Sequence, residues 1–330
     1  MWKKLLAPAL IVIVAAGLII WLAEPGQKQP EKIYMVGIIK PSPSLEPAVK
    51  GFKSEMAKLG YKEGVNLEYV AAETAQDKAA TEQRFKALIE SPVDLIVVTG
   101  VRETRAIREA TEKFSPSLPV VFGVVSDPVG SGVVKAIQSS GNNLTGVTPA
   151  NEILVAKRAK LVLGLVPSAK RLVMAWNNPN TSGIENLRAQ IKELGVELFD
   201  KKVGDAKELD NFLAAFKPRV GDVYIRATDT VSADRVKEIV EWGLKNKVPV
   251  SGTNIGDAER GAFMSYGADY ESIGFQVARL ADRIFKGAKP SELPIEPPGK
   301  VELIVNSQTA EKLGITIPQS ASIGVNKFIK

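Results

Sequence analysis

Six apolar runs in this 330-residue chain end in short clusters of polar, turn-forming residues, and these clusters hold most of its candidate chemistry. In the first half they are Pro41-Ser42-Pro43-Ser44, Thr99-Gly100-Val101-Arg102 and Ser126-Asp127-Pro128. In the second half they are Asn177-Asn178-Pro179, Thr228-Asp229-Thr230 and Gly252-Thr253-Asn254. If each run is a parallel strand, every cluster sits at a strand's carboxyl end, where open α/β sheets bind ligands. Helix N-termini starting there offer N–H groups and partial positive charge to a carboxylate. Asp127, Asp229 or Asp257 could pair with an ammonium group. Caps and turns use the same residue types, so the argument rests on their shared topological position. Tyr266 and Tyr270 could stack on an apolar ligand or pack in the core. Trp176, beside Asn177, reads as a cleft wall or a core residue, with the cleft preferred, and Trp242, on a helix, as a core residue.

Much other chemistry is excluded. The chain has no cysteine and no histidine. Disulfides, thiolate nucleophiles, zinc-thiolate sites and Ser-His-Asp catalysis are therefore impossible. No G-x-x-x-x-G-K-[ST] and no G-x-G-x-x-G follows a strand, so no phosphate or dinucleotide cofactor is implied. The net charge of +6 is scattered along the chain, which reads as a solvated surface rather than a nucleic-acid footprint. No catalytic residue, metal site or cofactor is expected.

The elements that must position these clusters alternate. Strands are expected at 33–39, 67–70, 94–98, 120–125 and 144–147, with helices at 45–59, 76–90 and 102–111. A helix capped by Ser126 or Asp127 is expected to begin near Pro128. From Asn151 the pattern restarts. Helices at 151–165, 182–194, 206–216 and 232–245 alternate with strands at 171–176, 196–201, 222–226 and 248–251. A short strand at 261–265, a helix at 269–286, a proline-rich crossing at 289–298, a strand at 301–305 and a short helix at 309–313 complete it. The length suits two domains of about 150 residues each, both parallel sheets with helices on both faces.

Lys3-Lys4 precede Leu5 to Ala23, a run of nineteen uncharged residues. At about 1.5 Å per residue this run is long enough to cross a bilayer. Trp2 and Trp21 fall near its ends, and the lysines predict a cytoplasmic N-terminus with the rest exported. A cleaved signal peptide is the alternative, but cutting after Ala23 would put Trp21 where a small residue is wanted. An uncleaved anchor over 1–24 and a linker over 25–32 are the expectation, with secretion after cleavage as the alternative.

An ordered set of residues resembles a known family. It runs Gly51-Phe52, Leu59-Gly60-Tyr61, Gly64-Val65-Asn66-Leu67, DLIVVTG over 94–100, PVVF over 119–122, Asp127-Pro128-Val129 and NLTGV over 143–147. Gly267-Ala268-Asp269-Tyr270, Gly274, Pro290, Val305-Asn306 and Leu313-Gly314 follow. This is similar to the substrate-binding proteins of ABC transporters, in the branch that includes tryptophan- and tyrosine-binding members. The resemblance implies a type I periplasmic-binding-protein fold: α/β, two Rossmann-like lobes with parallel sheets joined by a three-segment hinge. With the N-terminal transmembrane helix, lobe 1 would comprise 33–149 and 254–287, and lobe 2 150–253 and 288–330. Crossings would fall near 148–151, 251–254 and 286–290. Carried over by position, the ligand contacts are Ser42, Ser44, Gly100, Val101, Arg102, Ser126, Asp127, Asn177, Thr228, Asp229 and Thr253. Tyr270 joins them from its own reading. Relatives often carry a Gln and a Glu-His pair where this chain has Ile39-Lys40-Pro41-Ser42-Pro43, and small residues where it has Val101-Arg102-Glu103. Both departures line the implied cleft.

The resemblance implies a non-enzymatic, extracytoplasmic, monomeric binder of a small organic ligand such as an amino acid, closing at a hinge and serving an ABC permease. A membrane-tethered sensor that presents its closed form to a signalling partner is the rival. An enzyme on this fold lacks imidazole, thiol and cofactor motifs. A repressor would need a DNA-binding domain where the apolar segment stands.

Overall fold

The computed structural model describes residues 32–39, 43–75 and 77–330. The expected anchor over 1–24 and most of the linker lie outside the described residues, as does Ser42. Among the described residues no helix is long and apolar enough to cross a membrane.

The first sheet contains β1 (Tyr34–Ile39), β2 (Leu67–Ala72), β3 (Leu95–Thr99), β4 (Val120–Gly123) and β5 (Leu144–Val147), all parallel, in the order β2-β1-β3-β4-β5. Successive side chains of a strand point to opposite faces, so a strand covered on both sides reads as an unbroken apolar run. β3 shows it. Leu95 and Val97 join one core cluster, with α1 (Glu46–Lys58). Ile96 and Val98 join the other, with Phe85 of α2 (Lys78–Glu90) and Ile107 of α3 (Val101–Phe114).

The second sheet contains β6 (Arg171–Trp176), β7 (Glu197–Lys202), β8 (Asp222–Ile225), β9 (Val250–Gly252), β10 (Met264–Ala268), β11 (Val301–Asn306) and β12 (Lys327–Ile329). Its order is β12-β11-β10-β9-β8-β6-β7, parallel except that β11 runs against β10. Leu172 and Met174 face Val155, Ala159 and Val162 of α4 (Asn151–Leu165), together with Leu187 of α6 (Ile184–Leu194), which follows the short α5 (Pro179–Ser182). Val173 and Ala175 face α7 (Ala206–Ala215) and α9 (Val236–Lys245), with the short α8 (Thr230–Ala233) between these two helices.

The chain passes between the sheets in three places, two of them not where the sequence suggested. The first, 148–150, lies between β5 and α4 as expected. The second is at Asp269 rather than 251–254. After β9 comes α10 (Ile255–Glu259), and β10 then pairs with β9, so residues 254–268 stay with the second sheet. α11 (Tyr270–Phe285) then packs on α1 of the first lobe, where Ile273, Val277 and Leu280 meet Phe52 and Met56. The third crossing lies at 297–300 rather than 286–290. Leu293 and Ile295 are buried in the first lobe's core, and Glu296 bridges Val147 at the sheet edge. Proline content marked this stretch as a crossing, but its apolar side chains hold it against β5.

The second and third crossings are laced together. Gln276 of α11 donates to Glu296 Oε2 and to the Pro297 carbonyl, both at 3.0 Å, and accepts from Gly299 N at 2.8 Å. Asp269 N donates to the Lys300 carbonyl at 3.1 Å, and Lys300 Nζ reaches Asp269 Oδ2 at 3.1 Å.

The helix expected to begin at Pro128 does not form. Residues 126–143 are a run of turns and bends. Asp127 has φ of 42°, outside the helical range. Its Oδ1 accepts from Gly130 N at 2.8 Å, closing a turn.

Candidate functional site

A cavity of about 870 Å³ lies between the carboxyl ends of the two sheets. The first lobe contributes Ser44 and Leu45 after β1, Gly100 to Glu103 after β3, and Val124 and Ser126 after β4. The second contributes Asn177 and Thr181 after β6, Arg226, Thr228 and Asp229 after β8, and Thr253, Asn254 and Asp257 after β9. Asn151 and Tyr270 enter from the two helices that follow the first and second crossings. Beyond the end of each of these strands the chain turns into a helix or loop. This places polar groups at the cavity without interrupting either apolar core.

Of the expected contacts, Ser44, Gly100, Val101, Arg102, Ser126, Asn177, Thr228, Asp229, Thr253 and Tyr270 line this cavity. Their local roles differ. Gly100 has φ of 87°, in the region that favours glycine, and no side chain caps α3. The first N–H groups of α3 are thereby left without an intrahelical acceptor. Arg102 is largely exposed and holds the buried Glu103 through Nε and Nη2 at 3.0 and 2.9 Å. The Thr228 hydroxyl donates to the Thr181 carbonyl. Val124, a β-branched residue, has φ of 57° at the cavity wall; strained backbone of this kind collects at ligand sites.

Two expectations are corrected. Asp127 is not among the residues lining the cavity. Its carboxylate is turned into its own loop, because the left-handed backbone brings Oδ1 to Gly130 N. Trp176 packs in the second lobe's core, and its indole N–H donates to Asp200 Oδ1 at 2.8 Å, so it is not a cleft wall.

The remaining carboxylates are engaged by the scaffold. Asp229, 2% exposed, accepts from Ser232 N at 2.9 Å as the cap of α8 and from Asn177 N at 2.6 Å. Asp257 Oδ2 accepts from Arg226 Nε at 2.9 Å and from Thr253 N at 2.6 Å. Arg226 also donates to the Ala227 carbonyl at 3.0 Å and to Thr253 Oγ1. Burial raises the Tyr270 hydroxyl above its ordinary pKa, and the Arg226 charge and the Asn151 and Asn254 side chains that hydrogen-bond it act the other way.

Sequence reasoning missed Arg226, Asn151, Asn254 and, behind them, Arg158. The available signal was a charged residue closing the apolar run Val223-Tyr224-Ile225. Arg158 sits in a helix whose apolar residues spread around its circumference, so periodicity did not separate it from surface arginines. Among the described residues no group of acidic side chains has the arrangement of a metal site.

Residues 32–328 match the family model described as ABC transporter substrate binding protein. Among curated proteins, a tyrosine-binding protein of Clostridioides difficile (strain R20291) is 25% identical over 291 residues, which is 87% of this chain and 81% of that protein. Among solved structures, a conserved domain protein from Vibrio cholerae aligns with a TM-score of 0.77 at 25% identity, over 91% of this chain and 100% of that one. The ABC domain from Streptococcus pneumonia in complex with L-Trp aligns with a TM-score of 0.79 at 22% identity, over 90% and 100% of the two chains. The two-lobe α/β architecture with parallel sheets is the periplasmic-binding-protein fold.

Proposed function

The chain belongs to the ABC transporter substrate-binding protein family, whose members bind ligands rather than transform them, and from that premise we propose that it captures an amino acid for import. The observation that carries this reading is the polar-rimmed cavity of about 870 Å³ between the lobes. Its size falls within the range of small-molecule sites. An aromatic amino acid is favoured, since similar proteins are a tyrosine-binding protein and a domain in complex with L-Trp. Tyr270, Leu45 and Val101, all at the cavity wall, supply apolar surface for the side chain.

In this reading Ser44, Gly100, Val101, Arg102, Ser126, Asn177, Thr228, Asp229, Thr253 and Tyr270 contact the ligand. The uncapped first turn of α3 offers N–H groups to an anion. A ligand touching both rims favours the closed arrangement of the lobes by binding it more tightly than the open one. The apolar run from Leu5 to Ala23 would tether the protein, as a monomer, outside the cytoplasmic membrane beside its permease.

Isothermal titration against the common amino acids is the test. Saturable heat with tyrosine or tryptophan is the expected result, and no heat with any amino acid would reject the reading. Mass spectrometry of the mature N-terminus decides between anchor and cleaved signal.

A further inference from the structure

Glu103 lies in the first turn of α3, lines the cavity and is 8% exposed. Its two carboxylate oxygens are in different circumstances. Oε1 accepts from Arg102 Nε and Nη2 at 3.0 and 2.9 Å. Among the described residues Oε2 has no donor, and it is not one of the orphaned polar atoms sealed from solvent.

The place of Oε2 in the fold is specific. A Cβ on Gly100 would lie 3.1 Å from Oε2 and 3.0 Å from Leu45 Cδ1. The oxygen therefore stands at the turn from β3 into α3, near the loop that follows β1. β1 and β3 are neighbours in the order β2-β1-β3-β4-β5, which reverses direction between them. The helices that follow these two strands, α1 and α3, cover opposite faces of the sheet. A crevice opens between connections that diverge in this way, and open α/β sheets bind ligands in it.

Four other carboxylates line the cavity, and each is less suited to a ligand cation. Asp229 has both oxygens taken by backbone N–H groups. Asp257 is locked to Thr253 and to Arg226, a guanidinium only 3% exposed. Glu109 and Asp234 are exposed, where water and salt screen a charge. Glu103 is buried like Asp257, but its partner is not. The Arg102 side chain is 76% exposed, so solvent weakens its hold on the carboxylate charge.

We propose that Glu103 Oε2 receives the ammonium of an amino-acid ligand, while Arg102 holds the other oxygen. The assignment rests on the amino-acid reading above and specifies the group that reads the ligand's positive end. The free N–H groups of α3 belong to the same helical turn. Acceptor and donors side by side suit an α-amino acid, whose ammonium and carboxylate sit on one carbon.

The test is titration of wild type, Glu103→Gln and Glu103→Asp, alongside thermal melts without ligand. The probes are L-tyrosine and L-tryptophan, each paired with its analogue lacking the ammonium, hydroxyphenylpropionate or indolepropionate. Wild type is expected to bind at least one amino acid and to bind its analogue about 30-fold more weakly or worse. Glu103→Gln keeps the shape and removes the charge. It should weaken the amino acid about 30-fold or more and leave the analogue nearly unchanged, so that the preference collapses. Glu103→Asp keeps the charge but withdraws it by one methylene. It should also lose more affinity for the amino acid than for the analogue, and it decides the matter if Glu103→Gln does not fold. A purely structural role at the start of α3 would lower the melting temperature and weaken both ligands together. Equal losses for amino acid and analogue, or no loss, in a folded variant overturn the assignment and leave the function intact. Equal wild-type affinity for amino acid and analogue also overturns it. Failure of wild type to bind any amino acid removes the function and the assignment together.

Discussion

Gly51 of α1 faces the Glu271 carbonyl of α11, and a Cβ at position 51 would lie 2.2 Å from that oxygen. One turn along, a Cβ on Gly274 would lie 2.1 Å from the Ala48 carbonyl. The two glycines therefore let α1 and α11 approach backbone to backbone, which fastens the returning helix to the first lobe. Gly51→Ala or Gly274→Ala must push the helices apart. Each is expected to lower stability by about 1–3 kcal/mol, read as a reduced urea midpoint. An unchanged midpoint would mean that the interface is loose.

Asp229 and Asp127 should behave differently, although both follow apolar runs. Asp229→Ala removes a helix cap and leaves the Asn177 N–H without its partner. It should cost about 2 kcal/mol of stability and weaken ligand binding. Asp127→Ala removes one turn-closing bond away from the cavity, so ligand affinity should change less than about threefold, below 1 kcal/mol. Titration calorimetry on both variants checks the contrast, and a large loss of affinity in Asp127→Ala would contradict it.

Glu152, at the start of α4, gives a pH signature. Burial raises its pKa above the ordinary 4.5, with the Asp127 charge adding to the rise. A carboxyl group raised on folding binds its proton more tightly in the native state. Its contribution is full below the unfolded value and is lost as pH climbs through the folded value. Stability should therefore fall as pH rises from about 4.5 toward neutral. Glu152→Gln should flatten that fall in melts recorded across the same interval, and an identical slope would contradict the assignment.

Arg171 and Asp222 form a buried two-pronged pair between β6 and β8, with both contacts at 2.7 Å. Asp222→Ala leaves a guanidinium that is 8% exposed without its counter-ion. The expected loss is about 3–5 kcal/mol, measured by chemical denaturation. A loss below about 1 kcal/mol would mean that water replaces the carboxylate.

The strands were legible because burial on both faces writes itself as consecutive apolar residues, as in Leu95 to Thr99. The cavity rim was legible because turn residues follow each such run. The GADY stretch now has a physical reading. A Cβ on Gly267 would lie 1.7 Å from the Thr253 carbonyl, Asp269 caps α11, and Tyr270 reaches the cavity. What could not be read depended on partners distant in sequence. β10 looked like the start of a return to the first lobe, because only its pairing with β9 and β11 assigns it to the second. The direction of the Asp127 carboxylate depended on a left-handed backbone angle, which neither the aspartate nor the following proline announces.

Because Gln276, Asp269 and Lys300 stitch two of the three connecting strands into one ribbon, those strands cannot bend separately. In the proposed closure, one half would then swivel against the other about that ribbon, with the third connection, at Ala150, following it. Under that proposal the molecule would open along a single path, like a book on its spine, rather than shear or roll.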